Sequence, residues 1–207
     1  MIDTISPELR QDLNAALLVL KQGGVVAFPT ETYYGLAVDP FNRQAVERLF
    51  QLKCRPAAKP ILLLIDKQER LSNLAAEIPS QFLHLMDRFW PGPLTLIFPA
   101  QQGLSHTLTA GTGTVGVRIS SHPLASALCA LAGGTITATS ANLSGLPPAV
   151  SEHEILAQFG TRLDWLLKGG PTQGGSPSTI VTTHGDSLRV VRQGAIPFSE
   201  ISKGRDE

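Results

Sequence analysis

Apolar residues recur at Leu9, Leu13, Ala16, Leu17 and Leu20, the three-to-four spacing of one helix face. Ser6-Pro7 supplies a cap and a first-turn proline, and Gly23-Gly24 ends the helix. The period then changes. Gly24-Val25-Val26-Ala27-Phe28 is an unbroken apolar run and predicts a short buried strand, which Pro29 ends because it has no N–H to donate. Ile61 to Ile65, behind Pro60, predicts a strand buried on both faces. Further strands are expected over Leu94 to Phe98, Val115 to Ile119, Thr135 to Thr139, Trp165 to Leu167, Ser178 to Val181 and Leu188 to Val191. Helices are expected over Arg43 to Leu52, Ile78 to Arg88 and Pro123 to Leu131. Another should run to Phe159 behind a Ser151–Glu154 capping box. This alternation, with no repeat and no dividing linker, predicts an α/β domain with a mixed or largely parallel sheet.

Composition narrows the class. Hydrophobic residues make up 43% and charged ones 16% of 207 residues, which excludes a disordered chain. Seventeen basic and seventeen acidic residues cancel, so no global field draws the chain to nucleic acid or to an anionic membrane. Cys54 and Cys129 form neither metal-ligand spacing nor a disulfide framework. With no signal peptide and no apolar run near membrane length, a cytoplasmic protein is expected.

Candidate chemistry gathers where strands end. Thr30, Glu31 and Thr32 follow one strand, Ser140 and Asn142 follow another, and Ser178-Thr179 open a third beside a glycine-rich loop. Lys53, Arg55, Lys59, Arg118 and Arg192 add positive charge near such ends. Hydroxyl, amide and guanidinium donors suit phosphate and carboxylate oxygens. Taken singly, Lys53 and Arg55 read rather as a helix end, Ser140-Ala141-Asn142 as a turn, and Arg118 as an arginine on an edge strand. There is no P-loop sequence, no H-E-x-x-H and no G-x-S-x-G. Gly111-Thr112-Gly113-Thr114-Val115-Gly116 has dinucleotide-binding spacing but precedes a strand instead of following one. Cys54 is expected to be inert.

Five ordered segments carry a resemblance: Phe28-Pro29-Thr30-Glu31-Thr32-Tyr33-Tyr34-Gly35-Leu36, Lys53-Cys54-Arg55-Pro56, Trp90-Pro91-Gly92-Pro93-Leu94-Thr95, Val117-Arg118 and Ser140-Ala141-Asn142-Leu143-Ser144-Gly145. In this order the chain resembles the YrdC family, in the threonylcarbamoyl-AMP synthase branch that carries both K-x-R and S-x-N. The resemblance implies a single domain over residues 1–207, with its core at about 9–194. It implies a twisted mixed or parallel sheet flanked by helices, with an open concave ligand cleft.

It also implies an enzyme that condenses L-threonine, bicarbonate or CO2, and ATP with Mg²⁺ into threonylcarbamoyl-adenylate and pyrophosphate. A downstream transferase complex would then modify an adenosine of tRNA. By the same resemblance, Lys53, Arg55, Ser140 and Asn142 are catalytic. Threonine would meet Thr32, Leu64, Arg118, Ala138 and Ser178. ATP would meet Arg55, Lys59, Thr114, Ser140, Pro148 and Arg192, with Mg²⁺ bound through the phosphates rather than by the protein.

Three positions depart from the family pattern. Leu64 stands where many members carry histidine, Pro177 replaces a common acidic residue, and Thr182 a common aspartate. The chain is too short to hold the second domain of the longer members. Two other readings stay open: a non-catalytic module of the same fold that binds tRNA or double-stranded RNA weakly, and a related carbamoyl-adenylate enzyme acting on another amine.

Overall fold

The computed structural model describes residues 6–54 and 60–203. Seven helices and ten strands are seen among them: α1 (Pro7–Lys21), β1 (Val26–Phe28), β2 (Gly35–Ala37), α2 (Arg43–Lys53), β3 (Leu63–Ile65), α3 (Ser80–Phe89), β4 (Leu94–Pro99), α4 (His106–Thr109), β5 (Thr114–Arg118), α5 (Pro123–Leu131), β6 (Thr135–Thr137), β7 (Thr139–Ser140), α6 (Glu152–Phe159), β8 (Trp165–Leu166), β9 (Thr179–His184), β10 (Ser187–Arg192) and α7 (Phe198–Ser202). The mixed α/β class is as expected. The strands, however, divide between two sheets, ordered β7-β2-β1-β8 and β10-β9-β4-β5-β3-β6. Antiparallel pairs outnumber the parallel ones, which are β1 with β8, β3 with β5 and β4 with β9.

Local signals place the helices. Ser6 Oγ accepts the Leu9 N–H and caps α1. Ser151 Oγ likewise accepts from Glu154 N at 3.3 Å, but Glu154 Oε2 turns to Val150 N at 2.7 Å instead of to the cap's own N–H. β2, α4, α7 and a short 3-10 turn over Gln68–Asn73 lie in stretches where the hydrophobic pattern predicts loop or no element.

The central strands bury both faces. Along β1, Ala27 joins one apolar cluster while Val26 and Phe28 join the other. β3 repeats the division, with Leu63 and Ile65 on one side and Leu64 on the other. The larger cluster holds Leu49 of α2, Phe82 and Leu85 of α3, and Phe98 of β4, with Phe82 edge-on to Phe98 at 5.1 Å. The smaller packs Leu13 and Leu20 of α1 and Leu124 and Leu128 of α5 against Leu64 and Ile136. Among the described residues no helix is long and apolar enough to cross a membrane.

The expected strand Thr135 to Thr139 is broken at Ala138. β6 pairs with β3 in the larger sheet, and two residues later β7 pairs with β2 in the smaller. Ala138 N donates to Leu62 O, while Thr137 Oγ1 accepts from Val38 N and donates to Leu36 O. The chain therefore crosses between sheets here, and their meeting line opens into a cavity.

Candidate active site

The cavity encloses about 300 Å³, at the small end of ligand pockets. Both sheets contribute: Gly35 and Ser140 from one, and Leu64, Gly116, Arg118 and Arg192 from the other.

The first wall is the turn after β1. Thr30 Oγ1 donates to Tyr33 O at 2.6 Å and accepts from Thr32 N at 3.2 Å, a local hydroxyl turn that sets Thr32 at the cavity. The glycine-rich loop over residues 169–175 braces it. Gly174 N donates to Thr32 O, Tyr33 Oη to Gly175 O, and Tyr34 Oη to Gly170 O, each at 2.8 Å. Burial, with Glu152 nearby, pushes the Tyr34 phenol up to about 12, so it stays a donor at neutral pH.

Arg118 closes β5 directly opposite Leu64 of β3. Its Nη1 donates to Glu31 Oε1 at 3.0 Å, and Ser120 Oγ bonds Glu31 Oε2. Burial lowers the Arg118 pKa and Glu31 opposes that shift. Across the cavity, Arg192 Nη2 donates to Ser178 O at 2.8 Å and to Ser178 Oγ at 3.0 Å. Its pKa is also lowered, first by burial and then by the like charge of Arg118. Thr95 Oγ1 lies 3.0 Å from Ser178 Oγ. Behind Ser178, the fully buried Thr179 Oγ1 accepts from Gly194 N and Ile196 N and donates to Ile196 O. A Cβ on Gly194 would overlap Pro177 O and lie 2.6 Å from the Ser178 carbonyl carbon, so only glycine lets this loop pass so close.

Every residue expected to meet threonine lines the cavity: Thr32, Leu64, Arg118, Ala138 and Ser178. Of those expected to meet ATP, Thr114, Ser140 and Arg192 line it, while Pro148 stands away from its wall. Arg55 and Lys59 lie outside the described residues. Leu64 is almost wholly buried, and its side chain belongs to the apolar cluster with Leu124 and Leu128. Asn142 does not line the cavity. Its Oδ1 accepts from Ser140 Oγ at 2.6 Å, and its Nδ2 donates to Leu143 O and Leu146 O. Lys53 is 3% exposed, and its Nζ donates to the carbonyls of Ser140 and Asn142.

The sequence reading places Glu31 among the polar residues at a strand end but gives it no role, and Ser120 does not stand out at all. A carboxylate in the same turn as the cavity-lining Thr32 is the one available signal for the first; none marks the second. Cys129 is buried and its thiol is raised to about 12, which makes it inert; Cys54 is exposed at the left-handed end of α2.

Among the described lining residues there is no carboxylate, imidazole or thiol. The cavity offers guanidinium and hydroxyl donors over an apolar floor that includes Leu62 and Ile97. Such a site binds oxyanions, orients them and stabilises charge that develops on them.

The profile of the Sua5/YciO/YrdC family, described as telomere recombination, matches residues 18–194. A Pyrococcus abyssi threonylcarbamoyl-AMP synthase is 39% identical over 184 residues, covering 89% of this chain and 54% of its own length. A Halorhodospira halophila threonylcarbamoyl-AMP synthase is 41% identical over 150 residues, covering 72% of this chain and 78% of its own. The crystal structure of P. abyssi Sua5 complexed with L-threonine superposes with a TM-score of 0.89 at 38% identity, over 92% of this chain and 56% of that one. The chain thus spans little more than half the length of several relatives it matches.

Proposed function

The chain belongs to the Sua5/YciO/YrdC family, and on that premise we propose that it is a threonylcarbamoyl-AMP synthase, a nucleotidyltransferase acting in the cytoplasm. The observation that carries this reading is one shared cavity. Thr32, Arg118, Ala138 and Ser178, on the amino-acid side, share its wall with Thr114, Ser140 and Arg192 on the nucleotide side.

Arg118, held by Glu31, offers its guanidinium to the threonine carboxylate. Thr32 and Ser178 offer hydroxyls to the rest of the amino acid. The unprotonated amine attacks the carbon of CO2; a C–N bond forms and the amine proton leaves to solvent. A carbamate oxygen then attacks the α-phosphorus of ATP, an O–P bond forms, and the bond to pyrophosphate breaks. Arg192, Ser140 and Thr114 hold phosphate oxygens, joined by Arg55 and Lys59. Mg²⁺ carried by the triphosphate would supply further positive charge against the phosphates, with no described side chain assigned to hold it. Three anionic groups converge, so positioning and cationic stabilisation carry the rate and no covalent enzyme intermediate is required. A cavity of about 300 Å³ encloses the amino acid and the reacting phosphate, leaving most of the nucleotide outside. The product passes to a transferase complex that modifies tRNA. With zero net charge, the chain itself is expected to hold RNA weakly.

The test is turnover of ATP with threonine and bicarbonate supplied together or singly. Pyrophosphate release that needs both is expected. ADP as the main product, or release indifferent to threonine, would refute the assignment.

A further inference from the structure

Lys53 opens the K-x-R pair, which ordinarily reads as a cation for phosphate. Its surroundings point elsewhere. The residue closes α2 and is 3% exposed. Its Nζ donates to Asn142 O at 2.7 Å and also to Ser140 O. Its own carbonyl accepts from Ser144 N at 2.9 Å. One residue thus grips the turn Ser140 to Ser144 at three backbone points, by both its side chain and its main chain. Ser140 lines the cavity and Lys53 does not.

An ammonium has three N–H donors, and two of them here serve carbonyls. Both bonds are partly buried, and taking the donor away from a partly buried carbonyl costs more than the bond itself contributes. The other ties of the turn run to β2, to Tyr34, to Ala149 and to α6, where Gln158 Oε1 accepts from Leu143 N at 2.9 Å. Ala141 N donates to Tyr34 O at 2.8 Å, Ala149 N to Ala141 O at 3.1 Å, and Asn142 N to Ser140 O at 3.1 Å. Ser140 O thus also receives the Asn142 N–H, and it is Lys53 that joins the carbonyls of Ser140 and Asn142 to α2.

We propose that Lys53 is a positioning residue. It clamps the Ser140-Ala141-Asn142 turn through the backbone, so that Ser140 Oγ is presented to the nucleotide, and it acts on the reaction through that turn instead of through a phosphate contact. The inference rests on the synthase reading for the identity of the ligand but not for the clamp. It also links the two motifs physically: the lysine of K-x-R holds the backbone of S-x-N.

The experiment has two arms. In the first, pyrophosphate release is measured for wild type, Lys53→Met, Ser140→Ala and the double variant. Lys53→Met should raise the KM for ATP at least about tenfold, with a smaller fall in kcat. Ser140→Ala should then add less than about twofold on top of it, because residues acting as one unit are not additive. Effects that multiply would mean independent contacts and would overturn the proposal. In the second, amide hydrogen exchange is followed at Ser144 and Asn142. Exchange at least about tenfold faster in Lys53→Met, with Ser140→Ala near wild type, is expected; unchanged exchange in Lys53→Met overturns the clamp whatever the activity. Where Lys53→Met proves too unstable, Lys53→Gln keeps one donor toward the carbonyls, and intermediate values are expected in both arms. A wild-type protein that releases no pyrophosphate with threonine refutes the synthase reading, while the exchange arm still decides the clamp.

Discussion

Arg118 Nη1 donates to Glu31 Oε1 at 3.0 Å, with side chains only 8% and 12% exposed. The pair joins the end of β5 to the turn after β1, so it ties one sheet to the other at the cavity. Burying two charges is costly, and removing one partner leaves the other uncompensated.

Glu31→Gln keeps the shape but removes that charge. It is expected to destabilise the fold by on the order of 3 kcal/mol. For a chain of this size that lowers Tm by roughly 6–12 °C. Thermal unfolding checks this; a Tm within a degree or so of wild type would mean that solvent already screens the pair.

Gly194→Ala should disturb the site from outside it. The new Cβ would overlap Pro177 O and lie 2.6 Å from the Ser178 carbonyl carbon, both backbone atoms with little freedom to move. A cost of about 1–3 kcal/mol is expected, with weaker threonine binding because Ser178 shifts. Loss of stability at full threonine affinity would show that the strain relaxes away from the cavity.

His122 gives a pH dependence with a definite sign. Its Nδ1 accepts from Leu124 N at the start of α5, and burial pushes its pKa below 6.5 while Glu31 pulls the other way. The unfolded chain binds the proton first as pH falls. The neutral histidine's contribution is therefore whole above 6.5 and is lost as pH drops through the folded value. Denaturant unfolding of wild type and His122→Asn, which keeps a cap acceptor, should show wild type losing more stability on acidification. Parallel losses would assign the titration elsewhere.

Leu64→His tests how the amino-acid side chain is read. Leucine offers the threonine hydroxyl no hydrogen bond, so preference over serine rests on Thr32 and a methyl-sized contact, worth about tenfold to two-hundredfold at best. Histidine, able to bond the hydroxyl, should sharpen the preference for threonine over valine, which lacks that group. It should also cost roughly 1–3 kcal/mol, because the ring enters the apolar cluster with Leu124 and Leu128. An unchanged ratio of valine to threonine turnover would show that position 64 does not read the hydroxyl.

Local chemistry alone determined much of this protein. The Ser6 cap with Pro7, and the Pro123 start with a Gly133-Gly134 stop, fix α1 and α5 because caps, prolines and glycines act within a turn of the chain. The apolar run at Leu63–Ile65 foretold burial on both faces, since a strand with no polar alternation has no face for water. The ordered motifs by themselves single out Thr32, Arg118 and Ser140, which the folded chain brings to one cavity. Tertiary structure decided the rest. β2 is three residues opening on Gly35, too short to show a period. Thr135 to Thr139 looks like one strand, because β-branched residues suit either sheet; only pairing with β3 and then β2 divides it. The pairing of Glu31 with Arg118 joins residues from different sheets, and side-chain type does not encode which oppositely charged partner lies near. Lys53 is the clearest case. Its acceptors are backbone carbonyls, which every residue carries and no sequence distinguishes, so only the folded chain reveals what its ammonium holds.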